Sequence, residues 1–259
     1  MPKDDNVLSE KKIRDCLEKD TDIKEIIVLN EVNSTNSYAK ELANNGKGNT
    51  VVIANSQTNG RGRLGRNFIS PASNGIYMSI IIRSDISLSI SSLMTPCIAV
   101  AVAEAIESVC SCDVKIKWVN DLFLNERKIC GILTETSVNL GKLDYAVVGV
   151  GINVRKSEFP DELRDIATSL ESETGQKIDR NILCGVIIQS IEKHMRNLEK
   201  REFMEEYRRR SFIIGKKVLI GGMESVATAC GIDDYARLIV KLDDDTKVAV
   251  NFGEARIIK

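Results

Sequence analysis

The chain has 259 residues, 43% of them apolar and 28% charged, which excludes a disordered polypeptide and suffices for two domains or for one large domain with a small appendage. Lys and Arg number 36 against 37 Asp and Glu, a formal net charge of −1, so the chain as a whole is no polyanion binder and any nucleic-acid contact is confined to a local patch. The seven cysteines, Cys16, Cys97, Cys110, Cys112, Cys130, Cys184 and Cys230, are odd in number, scattered and never spaced C-x-x-C, which excludes a disulfide framework or zinc cluster and predicts reduced, mostly buried thiols.

The opening "MPKDDNVLSEKK" is polar and no stretch approaches 18 uninterrupted apolar residues, so the expectation is a cytoplasmic protein without a membrane partner. Residues 9–19 suit a short helix and residues 26–32 a strand. "STNSYAKELANNG" suits a helix that opens on capping-type residues and stops near Gly46, giving a βα start. "TVVIAN" from Thr50 is a strand feeding a basic loop, and "GIYMSIIIR" from Gly75 is a near-continuous apolar run, as a strand covered on both faces would be. Residues 91–110 keep a helical period through Met94, Ile98, Val102, Ala105 and Val109, with Pro96 in the early turns where proline is tolerated. "VKIKWVNDLFLNERKICGILTETS" reads as a strand, a break at Asn120 and Asp121, and a hairpin turning at residues 125–127, followed by the apolar strand "DYAVVGVGINV". Residues 179–198 form an amphipathic helix marked by Leu183, Ile187, Ile191 and Met195, and residues 201–210 a second helix. Beyond Phe212 the pattern shifts to short β-rich runs separated by Gly and Asp turns, as in a small all-β barrel. The fold class is therefore α/β (α+β), a mixed β-sheet with flanking helices followed by a small all-β domain, divided as residues 1–211 and 212–259.

"NGRGRLGR", residues 59–66, packs three glycines and three arginines into eight positions. Glycine lets backbone N–H groups approach a ligand, and arginine offers forked, permanently charged donors for carboxylates and phosphates. The loop is neither G-x-x-x-x-G-K-[ST] nor the dinucleotide G-x-G-x-x-G, because no helical pattern follows Gly60, Gly62 and Gly65. A solvated surface loop, a nucleic-acid contact and a nucleotide or acyl-phosphate site all remain open on this stretch alone. Elsewhere, Lys128 follows a hairpin turn at the mouth of a strand, where its ammonium can reach a cleft of the sheet. Gly131 on that strand and Gly149 and Gly151 on the next leave side-chain space missing, and Gly149, Gly151 and Asn153 share one face by the two-residue period. Either a flat ligand or a closely packed helix fits that face. Asn120 and Asp121 suit an ordinary turn, and equally a carboxylate sharing Mg²⁺ with nucleotide phosphates. The single histidine, His194, lies in the helix of residues 179–198, far from these motifs, and serine-hydrolase chemistry has no base beside it.

"STN" at 34–36, "QTNGRGRLGR" at 57–66, "KWVND" at 117–121, "RKICGIL" at 127–133 and "GVGIN" at 149–153 together resemble the successive motifs of the biotin protein ligases, or biotin–[acetyl-CoA-carboxylase] ligases. They stand in that family's order, and the β-rich tail resembles its SH3-like C-terminal domain. The resemblance implies activation of biotin by ATP to biotinyl-5′-AMP, then transfer to a lysine of a biotin carboxyl carrier protein. By similarity, Ser34, Thr35, Asn36, Gln57, Gly60, Arg61, Gly62, Arg63, Lys128, Gly131, Leu133, Gly149 and Gly151 hold biotin. Arg63, Arg66, Phe68, Asn120, Lys128 and Asn153 hold ATP, and Lys128, Arg63 and Asp121 serve the chemistry. Lys128 bridges the biotin carboxylate and the α-phosphate; Asp121 either holds Mg²⁺ or assists deprotonation of the incoming lysine.

The chain departs from the family at Val119, where K-W-P-N-D becomes K-W-V-N-D, and the expectation is tuned geometry with activity retained. About 33 residues precede Ser34, too few for the winged-helix domain of some members, so specific DNA binding is not expected. The resemblance allows a homodimer through the main sheet. The nearest rival is a lipoate ligase or transferase of related fold, whose arginine-rich segment is typically followed by three glycines. A non-enzymatic nucleic-acid binder is the rival from another class, disfavoured because the tail holds few aromatics, Tyr235 and Phe252 among them.

Overall fold

In the computed structural model, which describes residues 7–83, 86–156, 158–221, 225–251 and 253–258, the chain builds two β-sheets. Residues 1–6 of the polar opening and Phe252 lie outside the described residues. The elements run α1 (Glu10–Arg14), β1 (Glu25–Val32), α2 (Thr35–Asn44), β2 (Thr50–Gln57), β3 (Gly75–Ile82), α3 (Met94–Val109), β4 (Lys115–Lys117), β5 (Asp121–Leu124), β6 (Arg127–Asn139) and β7 (Lys142–Asn153). After them come α4 (Leu170–Thr174), α5 (Arg180–Arg196), α6 (Phe203–Arg210), β8 (Lys217–Ile220), β9 (Val226–Ile232), β10 (Leu238–Lys241), β11 (Lys247–Val250) and β12 (Ala255–Ile257).

The first sheet has seven strands in the order β1-β2-β3-β7-β6-β5-β4, and it is mixed, as the alternation of helices and hairpins predicts. The α2 crossover returns the chain so that β1 and β2 pair in parallel; the later pairs are antiparallel. α2 ends where Gly46 takes a φ of 86°, a left-handed conformation that suits glycine past a helix end. Asn125 and Glu126 both have positive φ, which closes the two-residue β5–β6 hairpin at the predicted place.

Two expectations need correcting. Residues 9–19 form a helix only over Glu10–Arg14, because Cys16 and Leu17 donate to carbonyls three residues back, Ile13 and Arg14, and the chain turns off. The polar stretch beyond offers little apolar surface to hold another turn; it is tied down instead by Glu192, which accepts from Thr21 Oγ1 at 2.6 Å and the Asp22 N–H at 2.8 Å. The break near Asn120 lies at residues 118–120, with the Trp118–Val119 peptide cis, and Asp121 already opens β5.

Period-two alternation assigns the faces of the first sheet. Val51, Ile53, Ile76, Met78, Ile80, Val148, Val150 and Ile152 point to one side, into a core closed by α3 and α5. Val52, Ile81, Tyr145 and Val147 point to the other, where α2 covers them with Ala39 and Ala43. The apolar length of residues 88–109 is thus accounted for by burial: eleven α3 residues lie buried in the core.

The second sheet is antiparallel, in the order β11-β10-β9-β8-β12, and forms the small SH3-like unit. Its Val218, Ile220, Ala229, Leu238 and Val240 belong to the same continuous apolar core as α3. Ile116 bridges Ser211 beside β4, and the Trp118 indole donates to the Ala236 carbonyl at 2.9 Å, so the two sheets pack directly.

His194 ties α5 to α3. Its Nε2 stands 3.3 Å from Glu104 Oε2 and its Nδ1 lies 2.9 Å from the Ser190 carbonyl. Burial opposes the charged ring, but the hydrogen bonds to Glu104 and Ser190, with the charge of Glu104, outweigh it and raise the histidine pKa. The hydrogen bond from His194 in turn lowers that of Glu104. Between about pH 4.5 and about pH 6.5, the ordinary values of the two groups, both partners are charged and their contribution to stability is complete. Resistance to urea is expected to decline as pH rises from about 6.5 through the raised pKa of His194, and His194→Gln to flatten that decline, as urea melts at a series of pH values would show.

Candidate active site

α2 covers one part of its face of the first sheet, and the adjoining part is the floor of a cleft of about 480 Å³. Gly131 pairs with Gly151, Leu133 with Gly149, and across β3 Gly151 pairs with Tyr77 and Gly149 with Ser79. The glycine space that the sequence left open is filled by the protein itself. A Cβ on Gly149 would stand 2.1 Å from Asn36 Oδ1, and one on Gly151 would stand 2.7 Å from the Phe68 ring. The N-terminus of α2 thereby seats on the sheet at Gly149, and the arginine loop lays an aromatic ring on it at Gly151.

Because a strand rises about 3.3 Å per residue, β7 orders the cleft over about 13 Å from Gly149 to Asn153. At Gly149 lies a neutral polar end. The N-cap residue Ser34 makes no side-chain cap bond; instead Gln57 Oε1 accepts from the Thr35 N–H at 2.9 Å and from Thr35 Oγ1 at 3.2 Å, while Gln57 Nε2 donates to Ser70 Oγ at 2.8 Å. At Gly151 lies the cationic middle. Lys128 Nζ would be 3.2 Å from a Cβ on Gly131 and stands 2.7 Å from Asp121 Oδ1, a charge contact rather than an aligned hydrogen bond. At Asn153, whose Nδ2 donates to the Thr168 carbonyl at 3.1 Å, the chain of residues 158–168 supplies an apolar wall from Phe159, Leu163 and Ile166. Backbone bonds from the Lys128 N–H to the Ile166 carbonyl and from the Thr168 N–H to the Lys128 carbonyl fix that wall to β6.

The basic loop closes on itself through Gly62 N–H to the Arg66 carbonyl and Phe68 N–H to the Gly60 carbonyl, with Leu64 and Gly65 at positive φ. Arg63 donates to Asn120 Oδ1 at 2.9 Å and to the Gly253 carbonyl at 3.1 Å; Arg66 grips Glu254 with both terminal nitrogens. The hydrogen bond to Arg66 holds the Glu254 carboxyl below the usual range, and the same bond raises the arginine. The loop thus roofs the cleft and reaches the second sheet, instead of arraying its arginines along an open surface. Asn120 is held from both sides, donating to the Ile132 carbonyl at 2.8 Å through Nδ2. Arg61, Arg63, Arg66, Lys117 and Lys128 line the cleft against the carboxylates Asp121, Glu162 and Glu254, an excess that suits an anionic ligand.

Of the residues singled out from sequence, Ser34, Thr35, Asn36, Gln57, Arg61, Gly62, Arg63, Arg66, Phe68, Asn120, Asp121, Lys128, Gly131, Leu133, Gly149, Gly151 and Asn153 all line this cleft. Gly60 is not among the lining residues; it packs within the basic loop, where a Cβ would be 2.4 Å from the Phe68 carbonyl oxygen. Sequence reading missed the apolar wall of residues 158–168, whose segment carries no clear period, and Glu254, a lone carboxylate 188 residues from its partner. It also missed Ser79 and Glu135, which sit within strands that otherwise read as core. All seven cysteines are free, four of them buried, and Cys130 beneath the cleft has its thiol pKa pushed up by burial.

Comparison with known proteins follows the same lines. Residues 28–153 match the Biotin/lipoate A/B protein ligase family. The Bifunctional ligase/repressor BirA of Bacillus spizizenii is 37% identical over 93% of this chain and 76% of that protein. The Biotin–[acetyl-CoA-carboxylase] ligase of Mycobacterium tuberculosis is 30% identical over 89% of this chain and 88% of that protein. Among solved structures, the biotin protein ligase from Aquifex aeolicus in complex with biotin and ATP superposes with a TM-score of 0.80, at 28% identity, over 91% of this chain and 99% of that one.

Gly149→Ala is expected to destabilise by about 1–3 kcal/mol, the usual cost of overpacking, because the new methyl collides with Asn36. In an Asn36→Ala background the same substitution should cost far less, since the colliding group is gone. A double-mutant cycle by urea denaturation measures this coupling.

Proposed function

This chain belongs to the biotin protein ligases, and from that premise we propose that its cleft takes biotin and ATP end to end and joins them at Lys128. The enzyme is an ATP-dependent ligase that activates biotin as biotinyl-5′-AMP and transfers it to a biotin carboxyl carrier protein. The observation that carries the residue assignment is the position of the Lys128 ammonium, between a neutral hydrogen-bonding end and an apolar wall of one continuous cleft. A cyclic urea fits the end built by Ser34, Thr35, Asn36 and Gln57. Lipoate has no group for those donors and acceptors, and a buried polar site left unpaired rejects such a ligand strongly.

In the first step a biotin carboxylate oxygen attacks the α-phosphorus of ATP, the bond to the β-phosphate oxygen breaks, and pyrophosphate leaves. Two anions must meet, and Lys128 offsets their repulsion while Arg63 and Arg61 aim further donors at the phosphate oxygens. Asn120 orients Arg63; Arg66 exchanges Glu254 for the polyphosphate. The adenine lies against Phe159, Leu163 and Ile166, with Asn153 at its edge. Phe68, seated on Gly151 and Gly131, packs beside the nucleotide, and Gly60 and Gly62 let the loop roof both substrates. In the second step the carrier's lysine amine attacks the acyl carbon, AMP leaves, and Asp121 takes up the amine proton. A roof over the mixed anhydride keeps water from it in the interval.

Among the described residues no three His, Cys, Asp or Glu side chains gather as metal ligands would. Magnesium suits this cleft as an ion carried by the phosphates, with Asp121 as the protein carboxylate that shares it and Mg²⁺ neutralising phosphate charge when bound. Residues 1–211 carry catalysis, and residues 212–259 close the cleft through Gly253 and Glu254. Among the described residues β1 has a strand neighbour on one side only, an edge suited to pairing with a second copy. Seven free thiols suit the cytoplasm.

Exchange of labelled pyrophosphate into ATP should require biotin, fail with lipoate, and fall by about 10²- to 10³-fold in Lys128→Ala, the usual effect of removing one charge-stabilising donor. A folded wild-type protein that shows no biotin-dependent exchange would sink the assignment.

A further inference from the structure

Ser79 is fully buried on β3 opposite Gly149, behind the polar end of the cleft and off its surface. Its neighbours leave little freedom in where protons go. The Thr35 N–H can only donate, so the acceptor oxygen of Gln57 faces it, and the Thr35 hydroxyl donates to that same oxygen. Asn36 Nδ2 lies between the Leu133 carbonyl at 3.3 Å and Glu135 Oε2 at 2.9 Å, two acceptors, so Asn36 Oδ1 must face Ser79. Although burial opposes it, Glu135 is held below the usual carboxylate range by Lys40 and Asn36, and so remains an acceptor. The Ser79 hydroxyl therefore has one proton and two acceptors, Asn36 Oδ1 at 2.6 Å and Thr35 Oγ1 at 2.8 Å.

We propose that Ser79 is a positioning residue for biotin recognition: its buried hydroxyl, bonded to Asn36 Oδ1 and Thr35 Oγ1, holds both side chains so that their remaining lone pairs face the urea N–H groups of the ligand. Without that hydroxyl, nothing beneath the two side chains among the described residues fixes their orientation toward the ligand. A cyclic urea carries two N–H donors and one carbonyl, and it needs acceptors that guanidinium side chains cannot offer. The hydroxyl also fixes both side chains from beneath, where no ligand atom reaches. The inference rests on the assignment of this cleft to biotin.

The test is pyrophosphate exchange by the full chain, with KM for biotin and for ATP measured separately on wild type, Ser79→Ala and Ser79→Cys. Ser79→Ala should raise the KM for biotin about tenfold, as loss of one buried hydrogen bond does, and leave the KM for ATP and kcat within about twofold. Desthiobiotin, which keeps the urea, should lose by the same factor. Ser79→Cys, a weak donor of similar shape, should fall between, and it carries the comparison by itself if the alanine variant does not fold. An unchanged KM for biotin in active variants overturns the inference alone. So does a parallel rise in both KM values or a fall in kcat at constant KM, because either assigns Ser79 to general structure. Absence of biotin-dependent exchange in wild type overturns the assignment of the cleft and the inference with it.

Discussion

A β-sheet can serve as the floor of a binding cleft only where its own side chains are withdrawn, and here that constraint is met by glycine at 131, 149 and 151 on neighbouring strands. Everything else in the cleft is placed by what descends into that space. Asn36 enters over Gly149 and brings the first turn of α2 with it, so Thr35 and Ser34 arrive at the polar end as a consequence of the helix seating. Phe68 lies over Gly151 and anchors one side of the arginine loop, and Arg61, Arg63 and Arg66 line the same cleft as Lys128. The opposite face of the same strands is filled with Val, Ile and Met against α3 and α5, and this rigid backing keeps the floor flat enough to be useful.

How much of this was legible in the sequence depended on the range of the interactions. Near-continuous apolar strands, the helix that stops at Gly46 and the hairpin at Asn125 announced themselves through local period and turn chemistry, and the mixed sheet followed from them. The glycine face was legible too, since Gly149, Gly151 and Asn153 alternate on one strand. Two readings of that face stood open, a flat ligand or a closely packed helix. At Gly149 the structure contains the second, in the form of Asn36, and at Gly151 an aromatic ring of the chain itself. Local pattern failed where the partner was distant. Nothing near Glu254 marks it as the mate of Arg66, and Ser79 within "GIYMSIIIR" reads as a small core residue until Thr35 and Asn36 are seen above it. Local pattern overextends the first helix because its polar residues fit a helix well enough but bury almost nothing, with Ile13 alone buried in α1.

The departure at Val119 also finds its context. Residues 116–120 are held by backbone pairing of Ile116 with Ser211 and Phe212, by the Trp118 indole on the Ala236 carbonyl, and by the Tyr207 hydroxyl on the Val119 carbonyl at 3.0 Å. Asn120 and Asp121 therefore project from a turn braced by α6 and by the second sheet. That bracing is independent of which side chain stands at 119, and it makes the C-terminal unit part of the scaffold of the cleft.

The pair formed by Arg66 and Glu254 gives the roof a particular kind of economy. A guanidinium waiting in a cleft for an anion would ordinarily stand unneutralised beside Lys128, Arg63 and Arg61, and like charges so close would drive the loop outward. With Glu254 of the C-terminal unit in its grip, the loop is held down, and on the proposed exchange an incoming anion would take the place of a carboxylate. Net charge at Arg66 then changes little between the two situations. What the proposed exchange would change is connectivity: the loop would keep the Arg63 bond to the Gly253 carbonyl but lose its ion pair to Glu254, so anion occupancy at Arg66 and its pairing with Glu254 would each weaken the other to the same degree.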